Sequence, residues 1–455
     1  MQAFSRILVV AAIVSLIGSL RPQVAHAVPS FARQTGMACG ICHIQFPELT
    51  SFGRAFKING YTIATTPQIE VQEKETESVG QPPDERTYLK INQSFPLSAM
   101  LQVSMTATQK AQSDTQNYDV AFPQQLSLFL AGEISPYVGS FLQVTYSGED
   151  DHLTFDNTDI RFARRTQFLG KDTVYGLTLN NNPTVEDAWH STPAWGFPWA
   201  TSDTAPTPAA GALVDGALAQ EVAGLGAYTL WNTHLYAAVT VYRSAQIGET
   251  EPPDATSNDT IKNVAPYWRL AWQQDWGKNY LEIGTYGLYA ALYPNGVSGP
   301  TDDYTDTAID FQYERILSNS KMLSIYGTYI YENQSLDASY AAGDAARKSN
   351  HLNTFRLNGL YNLGKQLGLG LGYFFIRGSS DPLLYPLEEE TGSRNGSPDS
   401  DGFIGQVNYY PWENVRLSLQ YIAYLKFNGS RSDYDGTGRD AADNNSAYLL
   451  AWFVW

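Results

Sequence analysis

Cysteine, positive charge and long apolar runs are all scarce in this sequence, and each shortage removes a class of protein. Two cysteines in 455 residues cannot build a multi-disulfide scaffold. Past residue 20 no stretch approaches the ~18 consecutive apolar residues that a membrane-spanning helix needs. A soluble exported protein or a β-barrel therefore remains. Lys+Arg 29 against Asp+Glu 46 leave a formal net charge of −17, which disfavours nucleic acid as a partner. The acids gather in turn-rich stretches such as 248–259, 302–306, 387–401 and 432–445. They read first as solvated loops and second as a field that attracts cations.

What is plentiful is aromatic. A mean hydropathy of −0.28 suits a soluble protein and a barrel alike, but Tyr 29, Phe 20 and Trp 10 fit the aromatic girdles of a barrel at its two membrane interfaces. The first residues read as an export signal: Arg6, an apolar run from Ile7 to Leu20, then the small-x-small site Ala25-His26-Ala27. Residues 1–27 are thus a signal peptide. Cleavage there takes away Arg6 and Arg21 and leaves a net charge of −19.

Both cysteines fall in Cys39-Gly40-Ile41-Cys42-His43, the C-x-x-C-H pattern that attaches c-type haem. Two thiols at this spacing reach the two vinyl groups of one porphyrin, and the adjacent imidazole supplies the proximal iron ligand. Cys39 and Cys42 are accordingly read as the covalent attachment points and His43 as the metal ligand. A thioredoxin-type redox pair would sit in a βαβ pattern that is not visible here. A structural disulfide would close almost no loop, and a zinc site lacks a second Cys/His pair. Residues 28–70 form the expected cytochrome domain, with one helical stripe of Phe46, Leu49, Phe52 and Phe56. A polar, acidic linker follows over residues 71–86.

Strands dominate residues 87–455. The cleanest is Val415 to Phe427, where Val415, Leu417, Leu419, Tyr421, Ala423, Leu425 and Phe427 alternate with Arg416, Ser418, Gln420 and Lys426. Its length suits a tilted membrane strand of ~9–11 residues. Similar runs begin near Leu97, Phe122, Tyr137, Leu153, Val174, Leu225, His234, Val264, Asn279, Tyr304, Lys321, His351, Gln366, Asp401 and Ser446. Together they predict an all-β outer-membrane barrel of about 16 antiparallel strands, with the helical haem domain inserted in its lumen. The final run, Ala451-Trp452-Phe453-Val454-Trp455, is an amphipathic strand with an aromatic end, as such barrels favour. The stretch from Asn180 to about Gly216, with Trp189, Trp195, Phe197 and Trp199, is too long for an ordinary loop. It reads either as an inward constriction or as an outer loop packing its own aromatics.

These residues resemble the fused monohaem cytochrome–porins of the outer membrane found in iron-oxidising bacteria and their relatives. The resemblance rests on Pro29-Ser30-Phe31-Ala32-Arg33-Gln34-Thr35-Gly36, on Cys39 to His43, on Phe46-Pro47-Glu48-Leu49-Thr50 with Gly53-Arg54-Ala55-Phe56-Lys57, and on Gly60-Tyr61. It continues more loosely at residues 175–184 and at Pro193-Ala194-Trp195-Gly196. It implies an oxidase of extracellular Fe(II) that passes single electrons to a periplasmic c-type cytochrome. A general electron conduit with another donor and a diffusion porin with a haem-bearing plug are the competing readings. For the sixth iron position the sequence offers Met100 at lumen parity, Met322, His234 at lumen parity, and His190 in the long aromatic loop.

Overall fold

The computed structural model describes residues 29–63, 96–148, 151–192, 202, 204–245, 252–318 and 321–455. The expected signal peptide, the linker, and Trp195, Phe197 and Trp199 lie outside the described residues.

Sixteen antiparallel strands close a barrel: β1 (Leu97–Thr108), β2 (Asp119–Ser135), β3 (Val138–Ser147), β4 (His152–Phe168), β5 (Lys171–Asn180), β6 (Val222–Trp231), β7 (Leu235–Ser244), β8 (Ala265–Trp276), β9 (Asn279–Tyr293), β10 (Asp302–Ser318), β11 (Lys321–Ser335), β12 (Ser349–Leu363), β13 (Leu367–Gly378), β14 (Ser400–Trp412), β15 (Val415–Lys426) and β16 (Ser446–Val454). Each pairs with its neighbours in sequence, and β16 returns to β1, from Ser446 opposite Thr108 to Val454 opposite Met100. The two-residue strand Thr260–Ile261 only extends the wall beside β9. No described helix is long and apolar enough to cross a membrane.

The wall is apolar outside and polar inside. On β15, Leu419 and Tyr421 are 50% and 46% exposed, whereas the alternating Arg416, Ser418 and Gln420 are buried. Leu126, Leu128 and Leu130 on β2, Ile309 on β10 and Leu371 on β13 repeat the outward pattern, against buried Gln143, Arg161, Arg269 and Glu282. A soluble sandwich would reverse this arrangement. An apolar belt of this kind is stable only in lipid, and closure leaves no unpaired strand edge in the hydrocarbon. The protein is an outer-membrane β-barrel of the Gram-negative type.

β15 departs from expectation at one end. It stops at Lys426, and Phe427 turns inward, fully buried, with its ring centroid 4.9 Å from that of Tyr424 and 4.8 Å from that of Tyr434. Two-residue turns such as Leu169-Gly170 and Gly277-Lys278 join strands at one end, and connections as long as 181–221 join them at the other. The short-turn end is the periplasmic one.

Candidate functional site

Residues 29–63 lie inside the barrel as a plug near the short-turn end. They contain α1 (Ser30–Thr35), α2 (Cys39–Cys42), a ribbon pairing His43–Gln45 with Glu48–Leu49, and α3 (Ser51–Ile58). The single helical stripe expected over Phe46 to Phe56 is therefore split. Pro47 has no backbone N–H to continue a helix, so Phe46 and Leu49 sit on the ribbon while Phe52 and Phe56 sit on α3. Thr50 starts α3: its side chain accepts from the Gly53 N–H at 3.1 Å, and its own N–H donates to the Cys42 carbonyl at 2.9 Å. That carbonyl would lie 2.2 Å from a Cβ on Gly53. Only glycine lets α3 approach the cysteine turn this closely.

Hydrogen bonds and ion pairs fix the plug to the wall. Ser30 Oγ donates to the Ala131 carbonyl (2.6 Å), Asn408 to Gln45 (2.7 Å), and Tyr61 OH to Asp159 (2.7 Å), which also pairs with Arg161. Arg54, almost wholly buried, meets Glu314 at 2.6 Å and lies 4.2 Å over the Tyr280 ring. Lys57 donates to the carbonyls of Val185 and Asp187, and its Nζ is 3.4 Å from His190 Nε2. Gly60 runs at φ +75, and its carbonyl would meet a Cβ on Gly139 of β3 at 2.3 Å.

Cys39 and Cys42 stand one helical turn apart on α2, so both thiols share a face, and both are free. They open, with His43, on a cleft between plug and wall that encloses about 1000 Å³ of open space, part of it continuous with solvent. The plug side contributes Phe31, Met37, Phe46, Phe52 and Phe56; the wall contributes Ser98, Met100, Phe129, Ala131, Phe141, Trp452 and Val454. No charged side chain lines it. Burial, and then the neighbouring Cys39, push the Cys42 thiol up to about 11. Such a thiol is a poor thiolate nucleophile, which argues against disulfide exchange. Burial also pulls His43 down to about 4, so the imidazole is neutral and able to ligate a metal. The carbonyls of Pro47 and Glu48 face the ring, and Nδ1 is buried without a hydrogen bond of its own. Two thiols, a neutral imidazole and an apolar lining are the donor set and surroundings that a covalently held haem requires.

A second cleft, at the periplasmic mouth, is lined by Cys39 and His43 but not by Cys42, together with Met322, Lys321, Lys365 and Glu413. The expected sixth ligands thus separate. Met100 shares the cleft that holds both cysteines, while Met322 shares only the mouth. His190 and His234 line neither: His190 is engaged with Lys57, and His234 sits at the β6–β7 turn with Nδ1 3.0 Å from the Gln273 carbonyl. Lumen parity places a residue on the inner face but does not fix its height along the barrel. Met37 was missed, having no periodicity around it to mark it. Among the described residues no group of three or more His, Cys, Asp or Glu side chains could hold a metal ion.

The described part of the long loop folds inward. It carries α4 (Pro183–Glu186), Asp187 meets Arg269 at 3.1 Å, and the Leu213 and Val214 N–H groups donate to Glu332 (2.6 Å) and Asp306 (2.7 Å). At the outer rim, Glu389 accepts from Ser113 Oγ at 2.7 Å, and Glu390 from the Ser113 N–H at 2.6 Å and from Arg439 at 3.1 Å. These two acids tie loops together.

No protein-family model matches the chain and no curated protein does. Similar solved structures include the loop L8 deletion mutant of OmpT, an outer membrane protein of Vibrio cholerae (12% identity, 79% of this chain and 98% of that one, TM-score 0.44). The outer membrane channel DcaP of Acinetobacter baumannii (11%, 79% and 96%, 0.45) and an anion-selective porin from Comamonas acidovorans (11%, 79% and 98%, 0.45) are others. The closed wall and the tied plug themselves define the class: an outer-membrane β-barrel with an occupied lumen.

Proposed function

We propose that the chain is a fused cytochrome–porin that takes single electrons from extracellular Fe(II) and delivers them to a periplasmic c-type cytochrome. The observation that carries this reading is the opening of Cys39, Cys42 and His43 together on one apolar cleft inside the barrel. Cys39 and Cys42 would hold the porphyrin by thioethers and His43 its iron. A haem held there supplies one-electron exchange that needs no acid, base or nucleophile. Phe31, Phe46, Phe52 and Phe56 would give it apolar surroundings, and α3 holds the cysteine turn through the Thr50 N–H bond to the Cys42 carbonyl. The cleft lies near the short-turn end, where Cys39 and His43 also line the periplasmic mouth, so a haem held there would stand within reach of a periplasmic acceptor. The plug and the described part of the inward loop both occupy the lumen, which weighs against free diffusion.

The test uses the full chain matured with a c-type haem attachment system and purified from outer membranes. Anaerobic Fe(II) should reduce its haem bands rapidly, and a His43→Ala control should not respond. A haem that stays oxidised with Fe(II) while other donors reduce it would leave a conduit with a different donor. High, steady conductance in planar bilayers would favour the porin reading.

A further inference from the structure

We infer that Met100, on the barrel wall, is the sixth ligand of the iron, so that wall and plug together clamp the cofactor. This rests on the cytochrome reading above. The cleft has two walls. Everything that would grip the porphyrin from the plug, Cys39, Cys42 and His43, lies on one of them. The rest of the cleft is lined by the wall of β1, β2, β3 and β16, which would supply any ligand from the side opposite the plug. On that wall stand Ser98, Phe129, Ala131, Phe141, Trp452 and Val454, none of which ordinarily ligates haem iron, and Met100. Its side chain is 1% exposed and packs with Tyr448, Leu450 and Trp452 on β16, with Phe46 of the plug against the same cluster. The Phe46 ring lies 5.2 Å from that of His43, so one aromatic links the two proposed ligands. Gln102, two residues along the inner face, donates Nε2–H to the Met100 sulfur at 3.6 Å, which fixes the thioether on the lumen side.

Met37 is the rival in the same cleft. It belongs to the plug, is only half-buried, and sits between exposed Gly36 and Ala38, two residues before Cys39. A rigid strand under a packed cluster positions a ligand better than an exposed tether does. Thioether ligation raises a haem potential relative to bis-histidine, which suits acceptance of electrons from a weak reductant.

The experiment compares holo-protein carrying Met100→Leu with holo-protein carrying Met37→Leu. Met100→Leu should keep full covalent haem, lose the weak far-red sulfur-to-iron band of the oxidised form, and gain stoichiometric carbon monoxide binding when reduced. Met37→Leu should match wild type in all three. The reverse pattern, or a Met100→Leu protein that keeps the band, overturns the assignment. If Met100→Leu does not assemble, Met100→His should remain six-coordinate with a lowered potential, and an unchanged potential would count against the wall ligand. Wild type without covalent haem would sink the cytochrome reading itself, and the ligand with it.

Discussion

The two ends of the plug are built on opposite principles. Its cysteine-bearing half opens both thiols on an apolar cleft and touches charge only at the periplasmic mouth beside Cys39 and His43, whereas α3 and the residues after it are tied to the wall by Arg54, Lys57 and Tyr61, all buried. The contrast separates two tasks: charge fixes where the plug sits, and apolar surface decides what it can hold. A buried ion pair stabilises little relative to an apolar substitute, but breaking one by removing a single partner costs about 3–5 kcal/mol. The anchored half should therefore be the more fragile to single substitutions.

The largest effect is expected at Arg54. Arg54→Met leaves Glu314 buried without its partner, beside Glu48, whose own carboxyl is pushed up to about 8 by burial and then by Glu314. The seating of the plug should weaken by about 3–5 kcal/mol, read as protease cleavage of the plug and a rise in bilayer conductance. Arg54→Met with Glu314→Gln should recover most of the loss. A single variant that stays protected and closed would erase the distinction between the two ends.

A smaller effect is expected where the halves meet. Gly53→Ala puts a methyl 2.2 Å from the Cys42 carbonyl, a backbone atom that cannot rotate aside. Overpacking of this kind costs about 1–3 kcal/mol, concentrated on the cysteine turn. Covalent haem per chain should fall while the barrel keeps its heat-modifiable migration on gels. Unchanged haem content would mean that the turn does not depend on its contact with α3.

How much could be read in advance differs between the same regions. All sixteen strands begin within three residues of the starts read from the sequence, because lipid outside and a polar lumen inside impose a strict alternation that survives in any one strand, as in Leu417, Leu419 and Tyr421. The anchors were not legible. Arg54 meets Glu314 and Tyr61 meets Asp159 only once the barrel has closed around the plug, and no local pattern records a pairing over such separations. The parity of Met100 was legible, whereas its cleft was not. The helical stripe was misread because Phe46 and Leu49 share a period with Phe52 and Phe56 that Pro47 interrupts. The inward course of the long loop was only one of two readings, and the carboxylates that receive it, Asp306 and Glu332, lie on distant strands.

The smallest effect is a pH dependence at the anchored end. Burial, and then the nearby Arg161, lower Lys57 to about 8 from its ordinary value of 10.5, against the opposing pull of Asp159, Asp187 and Glu186. Below pH 8 the amine is charged in both the seated and the released plug, and the full cost of burying the charge is present. Between about 8 and 10.5 the released plug binds more protons than the seated one, so seating should strengthen as pH rises, by at most about 1.4 kcal/mol per pH unit. Other lysines and tyrosines titrate in the same window, so the quantity to follow is the difference in midpoint temperature between wild type and Lys57→Met. That difference should move in favour of wild type from pH 8 to 10. A difference that stays flat would mean that the carbonyls of Val185 and Asp187 hold the ammonium charged throughout, making the anchored end more ionic than its burial suggests.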